Sequence, residues 1–230
     1  KMQYDLLDAV EFAIAKGIVK RSEIAIMGGS YGGYATLVGL TFTPDIFACG
    51  VDFYGVSNLV SFLESVPPYW RGHRQALIKR MGGNLDSEEG RKELIDRSPL
   101  FFVDQVKKPL LIMHRANDPR IKLIESEQFV FALQNQSIPV TYAVFPDEGH
   151  GFRRIPNQLA QFGLLEKFLH DCLGGAYLPF TEGQYNESAI VTTLEIESNS
   201  SLLMNETSND SKNVGPLIFI INILSMMFVL

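Results

Sequence analysis

Cysteine, tryptophan and histidine are scarce: the 230 residues hold two, one and four of them. With only Cys49 and Cys172, no disulfide framework is expected to hold the fold together. Cys49 falls in an apolar run and Cys172 near a helix end, and both read as separate buried thiols. No group of His, Cys and carboxylates has the spacing of metal ligands, so neither a metal nor another cofactor is expected. Positive charge is the minority: 20 Lys and Arg face 26 Asp and Glu, for a net charge of −6. No basic block long enough to track phosphates is present, which argues against a nucleic-acid partner. Internal repeats are missing, and so is a basic-then-apolar leader. The chain opens on Lys1 and reads as the C-terminal piece of a longer protein.

What is present is an ordinary globular composition, 46% hydrophobic and 20% charged, with an apolar addition at the end. Residues 4–16 place Leu6, Val10, Ala13 and Ile14 on one helical face, and Gly17 stops the run. Short continuous apolar runs at 24–27, 48–53, 109–114 and 139–145 predict buried strands. Helical patterns separate them: one through about Leu40, an interrupted polar stretch at 58–98, and one at 125–136. A closing amphipathic helix runs from Asn157 to Cys172, capped by Gly174 and Gly175. Strands alternating with helices, each strand apolar throughout, indicate an α/β fold with a parallel sheet covered on both faces.

The chemistry centres on GGSYGG, residues 28–33, which lies between a predicted strand and a predicted helix. Gly28-Gly29-Ser30-Tyr31-Gly32 has the form G-x-S-x-G of a nucleophile elbow. Its small flanking residues let the strand and helix pass close to a sharp turn that lifts the Ser30 hydroxyl. The Tyr31 amide would then serve as an oxyanion donor. A serine hydroxyl needs a base, and a base needs an orienting acid. Asp118 follows the third strand and His150 follows the fourth, flanked by Gly149 and Gly151, in the chain order Ser, Asp, His. Asp147 and Glu148 are rival orienting acids because they sit beside His150 in sequence. His73 and His170 read as solvated or partly satisfied histidines, and His114 as a core histidine with a structural hydrogen bond. Phe101, Phe102, Phe129 and Phe131 read as core.

GGSYGG, the stretch HRANDPRI and FPDEGHGF together resemble the catalytic domain of the prolyl oligopeptidase family of serine peptidases. Within it, the dipeptidyl and acylaminoacyl peptidase-like branch is most similar. The resemblance runs from residue 1 to about 188 and includes SNLVSFLE, PPYW and DRSP. It implies an α/β-hydrolase fold, of which residues 1–178 would form the C-terminal part of the mostly parallel sheet. It implies hydrolysis of short peptides through an acyl-enzyme on Ser30, with Asp118 and His150 completing the triad. Tyr31 would line the substrate pocket, as would Tyr69 and Trp70, for which core packing is an equal alternative. Two rivals remain: an esterase or lipase on the same fold, and a truncated, non-catalytic hydrolase domain. The family normally has glycine where this chain has Arg115; if that backbone needs positive φ, arginine would cost about 1–2 kcal/mol and could displace Asp118. The family's upstream half is not in this chain, so the sequence alone is expected to fold poorly or turn over slowly.

The last quarter differs in material. Residues 179–216 form a polar Asn- and Ser-rich stretch expected to be a disordered linker. It carries N-x-[ST] sequons at Asn186, Asn199, Asn205 and Asn209, with one more upstream at Asn135. Residues 217–230, LIFIINILSMMFVL, are apolar. As a helix they would reach only ~21 Å of a ~30 Å hydrocarbon core. Small residues, a polar spacer and an apolar end resemble a lipid-anchor signal, so membrane attachment through 217–230 is an expectation, with a short tail anchor and a misassembled C-terminus as its rivals.

Overall fold

Four strands follow one another across the sheet in chain order, each joined to the next by a helical connection that returns the chain to the same end. The computed structural model describes residues 2–179, 190–194 and 219–223. The strands are β1 (Ile24–Gly29), β2 (Cys49–Phe53), β3 (Leu110–Arg115) and β4 (Val140–Phe145), all parallel. Each lies within two residues of its sequence-predicted bounds. The apolar runs are continuous because both faces are covered.

On one face pack α1 (Met2–Ala15), α2 (Tyr31–Phe42) and α6 (Ile124–Asn135), a numbering that counts the three shorter helices below. They bury Val10, Leu37, Leu40 and Phe129 against Ile24, Ile26 and Ile112. On the other face α7 (Ile155–Leu173) covers Val51, Leu111, Met113 and Phe145 with Ala160 and Leu164. The interrupted stretch resolves into α3 (Leu59–Glu64), α4 (Arg74–Met81) and α5 (Glu88–Ile95). Leu59, Phe62, Leu63, Leu77 and Leu94 give these three a small core of their own.

Two further strands flank these four. β5 (Ile190–Leu194) adds antiparallel to β4, and β6 (Phe219–Ile223) adds parallel to β1. Those ten residues therefore depart from the linker and membrane-tail readings. β-Branched and apolar residues suit a strand, and pairing there satisfies backbone groups that an open sheet edge would leave bare. The sequons Asn186, Asn199, Asn205 and Asn209 lie outside the described residues, whereas Asn135 is exposed at the end of α6. Among the described residues no helix is long and apolar enough to cross a membrane.

The cysteine expectation is corrected: Cys49 and Cys172 form a disulfide across 123 residues of sequence. The first residue of β2 and the last turn of α7 meet in a small cluster with Ala25 and Leu173. Distance along the chain concealed that proximity. The phenylalanine reading holds only in part. Phe129 is fully buried and Phe102 packs on Phe42, but Phe101 and Phe131 are exposed.

One core residue is unusual. Asp52, near the end of β2, is fully buried; its Oδ1 accepts the Gly55 N–H at 2.8 Å while Oδ2 has no partner. Burial pushes its carboxyl up to about 7, against the Gly55 hydrogen bond. Between an unfolded value of 3.8 and that folded value, the native state holds a proton the unfolded chain has released. The stability this contributes is full below 3.8 and is lost as pH rises to about 7. Asp52→Asn keeps the Oδ1 acceptor and removes the ionisation. It is expected to stabilise the fold by at most about 4 kcal/mol more at pH 8 than at pH 4. Denaturant midpoints at the two pH values check this; an equal change at both rejects it.

Candidate active site

The loops that leave β1, β3 and β4 at their C-terminal ends carry the chemistry-bearing residues to one rim of the sheet, where ligands of parallel sheets commonly bind. Ser30 joins β1 to α2 with φ 57° and ψ −116°, one of three non-glycine residues at positive φ among those described. Such angles cost on the order of 1–3 kcal/mol and persist only where neighbours impose them. Here the Ser30 N–H donates to the Phe53 carbonyl at 2.9 Å, and the Ser30 carbonyl accepts from Tyr34 N–H at 3.0 Å.

The surrounding glycines have a steric cause. A Cβ at Gly28 would stand 2.6 Å from the Gly32 carbonyl carbon, and one at Gly33 would stand 2.6 Å from the Gly55 Cα. Strand, turn and helix touch backbone to backbone here.

Asp118 and His150 meet, as the chain order predicts. The His150 Nδ1 lies 2.8 Å from Asp118 Oδ2 and 3.0 Å from Oδ1. Asp118 Oδ1 also accepts the N–H groups of Arg120 at 2.8 Å and Ile121 at 3.1 Å. Burial pushes the Asp118 carboxyl up, but the bonds from His150, Arg120 and Ile121 outweigh it and hold the group below its ordinary value. Asp118 is therefore an anion, and the proton between the pair rests on His150 Nδ1, leaving Nε2 as the basic nitrogen. The Ser30 hydroxyl takes part in none of the hydrogen bonds formed among the described residues.

The rival acids are committed elsewhere. Glu148 accepts from the Arg153 and Arg154 N–H groups and from Asn157 Nδ2, fastening the His150 loop to α7. Asp147 pairs with Arg154 and Asn157. His114 is fully buried between Ser126 Oγ at 2.6 Å and the Ile121 carbonyl at 3.1 Å, the structural role expected of it. Burial lowers its pKa to about 4. His170 is half-buried and meets the Gly175 carbonyl, while the His73 side chain lies outside the described residues.

Tyr31 begins α2, so its N–H is one of those with no acceptor inside the helix. Its ring stacks on Tyr34 at 5.6 Å, and both line a groove of about 630 Å³ with Met2, Tyr4, Leu59 and Phe42. Burial keeps both phenols protonated, Tyr34 being pushed up to about 12. Tyr69 and Trp70 pack edge to face on the turn Pro68–His73. Tyr69 is 60% exposed and Trp70 rests on the α3–α5 core. Their connection to Ser30 is indirect, through Tyr34, which packs on that same core.

Residues 1–176 match the sequence model of the prolyl oligopeptidase family. The chain belongs to that family. Among its relatives in the family is the protein of Caenorhabditis elegans named dipeptidyl peptidase family member 6, 59% identical over 86% of this chain and 27% of the relative. Dipeptidyl aminopeptidase BIII of Pseudoxanthomonas mexicana is 56% identical over 78% of this chain and 26% of its own length. Among solved structures, the acylaminoacyl peptidase of Pyrococcus horikoshii superimposes with a TM-score of 0.66 at 27% identity, over 78% of this chain and 28% of that one. The chain thus spans about a quarter of the length of these relatives. With the sheet and its covering helices, these likenesses establish the prolyl oligopeptidase-type α/β-hydrolase fold.

The departure at Arg115 is also settled. Arg115 ends β3 in register with Phe145 and is absent from the positive-φ residues, so arginine there carries no left-handed strain and Asp118 keeps its place. Tyr54, a neighbour of this candidate site, escaped the sequence reading, and so did the side-chain contact that Arg115 makes with it. The Tyr54 ring lies edge-on to His150 at 5.7 Å, and the Arg115 guanidinium lies over Tyr54 at 3.7 Å. Their signal was faint: Tyr54 directly follows β2, and β2 lies between the strands that deliver Ser30 and Asp118.

Proposed function

We propose that this chain is the catalytic domain of a serine peptidase that cleaves short peptides through an acyl-enzyme on Ser30. The observation that carries the reading is the buried, ionised Asp118 gripping His150 Nδ1 at the rim that also presents Ser30. His150 Nε2 takes the hydroxyl proton as Ser30 Oγ attacks the carbonyl carbon, and later gives it to the leaving amine. Asp118 fixes the tautomer and stabilises the imidazolium. The Tyr31 N–H, at the positive end of α2, stabilises the oxyanion. Contacts between nucleophile and base are often loose before substrate arrives and tighten in the complex, which accommodates the unbonded Ser30 hydroxyl. The groove beside Tyr31 receives part of the peptide. Two relatives above half identity are named a dipeptidyl peptidase and a dipeptidyl aminopeptidase, which supports cleavage of dipeptides from short peptides over release of acylated residues.

The test is covalent. A fluorophosphonate reacts with an activated serine, forming an Oγ–P bond while fluoride leaves and His150 takes the proton. The full chain is expected to be labelled, with labelling lost in Ser30→Ala, and to release a dipeptidyl anilide's aniline. Absence of labelling in folded protein overturns the reading, and ester hydrolysis without any amide hydrolysis assigns the site to an esterase instead.

A further inference from the structure

Arg115 is a buried cation that the triad itself does not require. Its side chain is 3% exposed, and its Nη2 lies 3.5 Å from Asp118 Oδ2. That carboxylate is its only ion-pair partner among the described residues, and its Nε has no hydrogen-bond acceptor. The guanidinium is sandwiched between rings, 3.7 Å from the Tyr54 centroid and 5.2 Å from that of Phe152. A charge so placed has lost its water and must be held by something else. Two of the groups that hold it also touch the imidazole: Asp118 by hydrogen bond and Tyr54 by a T-shaped ring contact.

We propose that Arg115 is a positioning residue that locks the Asp118–His150 pair, bracing the carboxylate directly and the imidazole through Tyr54. The planar guanidinium does both at once, which a lysine ammonium cannot, because only a flat cation stacks on a ring face while one of its N–H groups reaches a carboxylate. Released from this clamp, Asp118 keeps the backbone bonds to Arg120 and Ile121 but loses its support on the Oδ2 side. Tyr54 loses the partner under its ring. The imidazole then samples orientations unproductive toward Ser30, and a misplacement near 1 Å costs about 10²-fold in rate.

The inference rests on the triad reading, and its experiment separates the two. In the full chain, Arg115→Met is expected to lower kcat about 10–100-fold with KM within about twofold, while Arg115→Lys recovers part of that loss. The rate of fluorophosphonate labelling falls in parallel, measured per folded molecule. A kcat within about twofold of the parent in folded Arg115→Met overturns the inference, as does a loss that appears in KM alone. Should Arg115→Met not fold, Arg115→Lys decides alone: a kcat below the parent at unchanged KM upholds the lock, and parental kcat overturns it. If the parent is never labelled, or Ser30→Ala still is, the triad reading has failed instead.

Discussion

Asp118→Asn is expected to lower kcat about 10⁴-fold while leaving KM nearly unchanged, at some cost in stability. The size follows from the bonding around the carboxylate. Oδ1 accepts two backbone N–H groups, from Arg120 and Ile121, so the asparagine carbonyl is drawn to that position. Its NH2 then falls where Oδ2 was, facing His150 Nδ1 and Arg115 Nη2. Donor meets donor. The imidazole relieves the clash by carrying its proton on Nε2, and in that tautomer it cannot accept the Ser30 proton. The neutral side chain also leaves the Arg115 guanidinium without its anion. Steady-state kinetics on a dipeptidyl anilide check the figure, and a loss of tenfold or less would remove Asp118 from the orienting role.

The second large effect is on stability. Opening the Cys49–Cys172 bridge, by reduction or by Cys172→Ala, is expected to cost about 2–5 kcal/mol of unfolding free energy. The bridge closes 123 residues of chain into a loop that contains β3, β4 and most of α7, and with them Asp118 and His150. A cross-link of that span removes much of the freedom of the unfolded chain, on the model in which disulfides act through chain entropy. In the native state it fixes the last turn of α7 to the start of β2. The thermal midpoint should fall by roughly 5–15 °C, read by calorimetry with and without reductant. A midpoint that moves by less than about 2 °C would mean the packing of α7 suffices without the bond.

The parts of this molecule that could be read from sequence are those in which local pattern and chain order do the specifying. The four parallel strands were legible because burial on both faces removes the alternation of polar and apolar residues. Ser30, Asp118 and His150 were legible because parallel strands joined by crossovers bring their C-terminal loops to one rim. What stayed hidden depends on neighbours remote in sequence. The Cys49–Cys172 bond needs the fold before the two residues meet. The choice of Asp118 over Glu148 depends on where a side chain of the β4 loop is spent, on Asn157 and two backbone N–H groups of the next segment. Arg115 looked like a threat to the site because its backbone was in question, and it is an ordinary strand residue whose side chain packs on Asp118 and Tyr54. The strands at Ile190–Leu194 and Phe219–Ile223 were hidden because edge pairing draws on backbone groups, which leave little mark on composition.

The backbone angle at Ser30 has one more consequence. A residue with a side chain sits where only glycine would be comfortable, and on the proposed mechanism this lifts the Ser30 oxygen clear of the turn. On that mechanism durability and reactivity compete at this single position: whatever relaxes the elbow also withdraws the proposed nucleophile. Selection for a hardier molecule would have to find its gains elsewhere, since this is the one discomfort that the chemistry cannot spare.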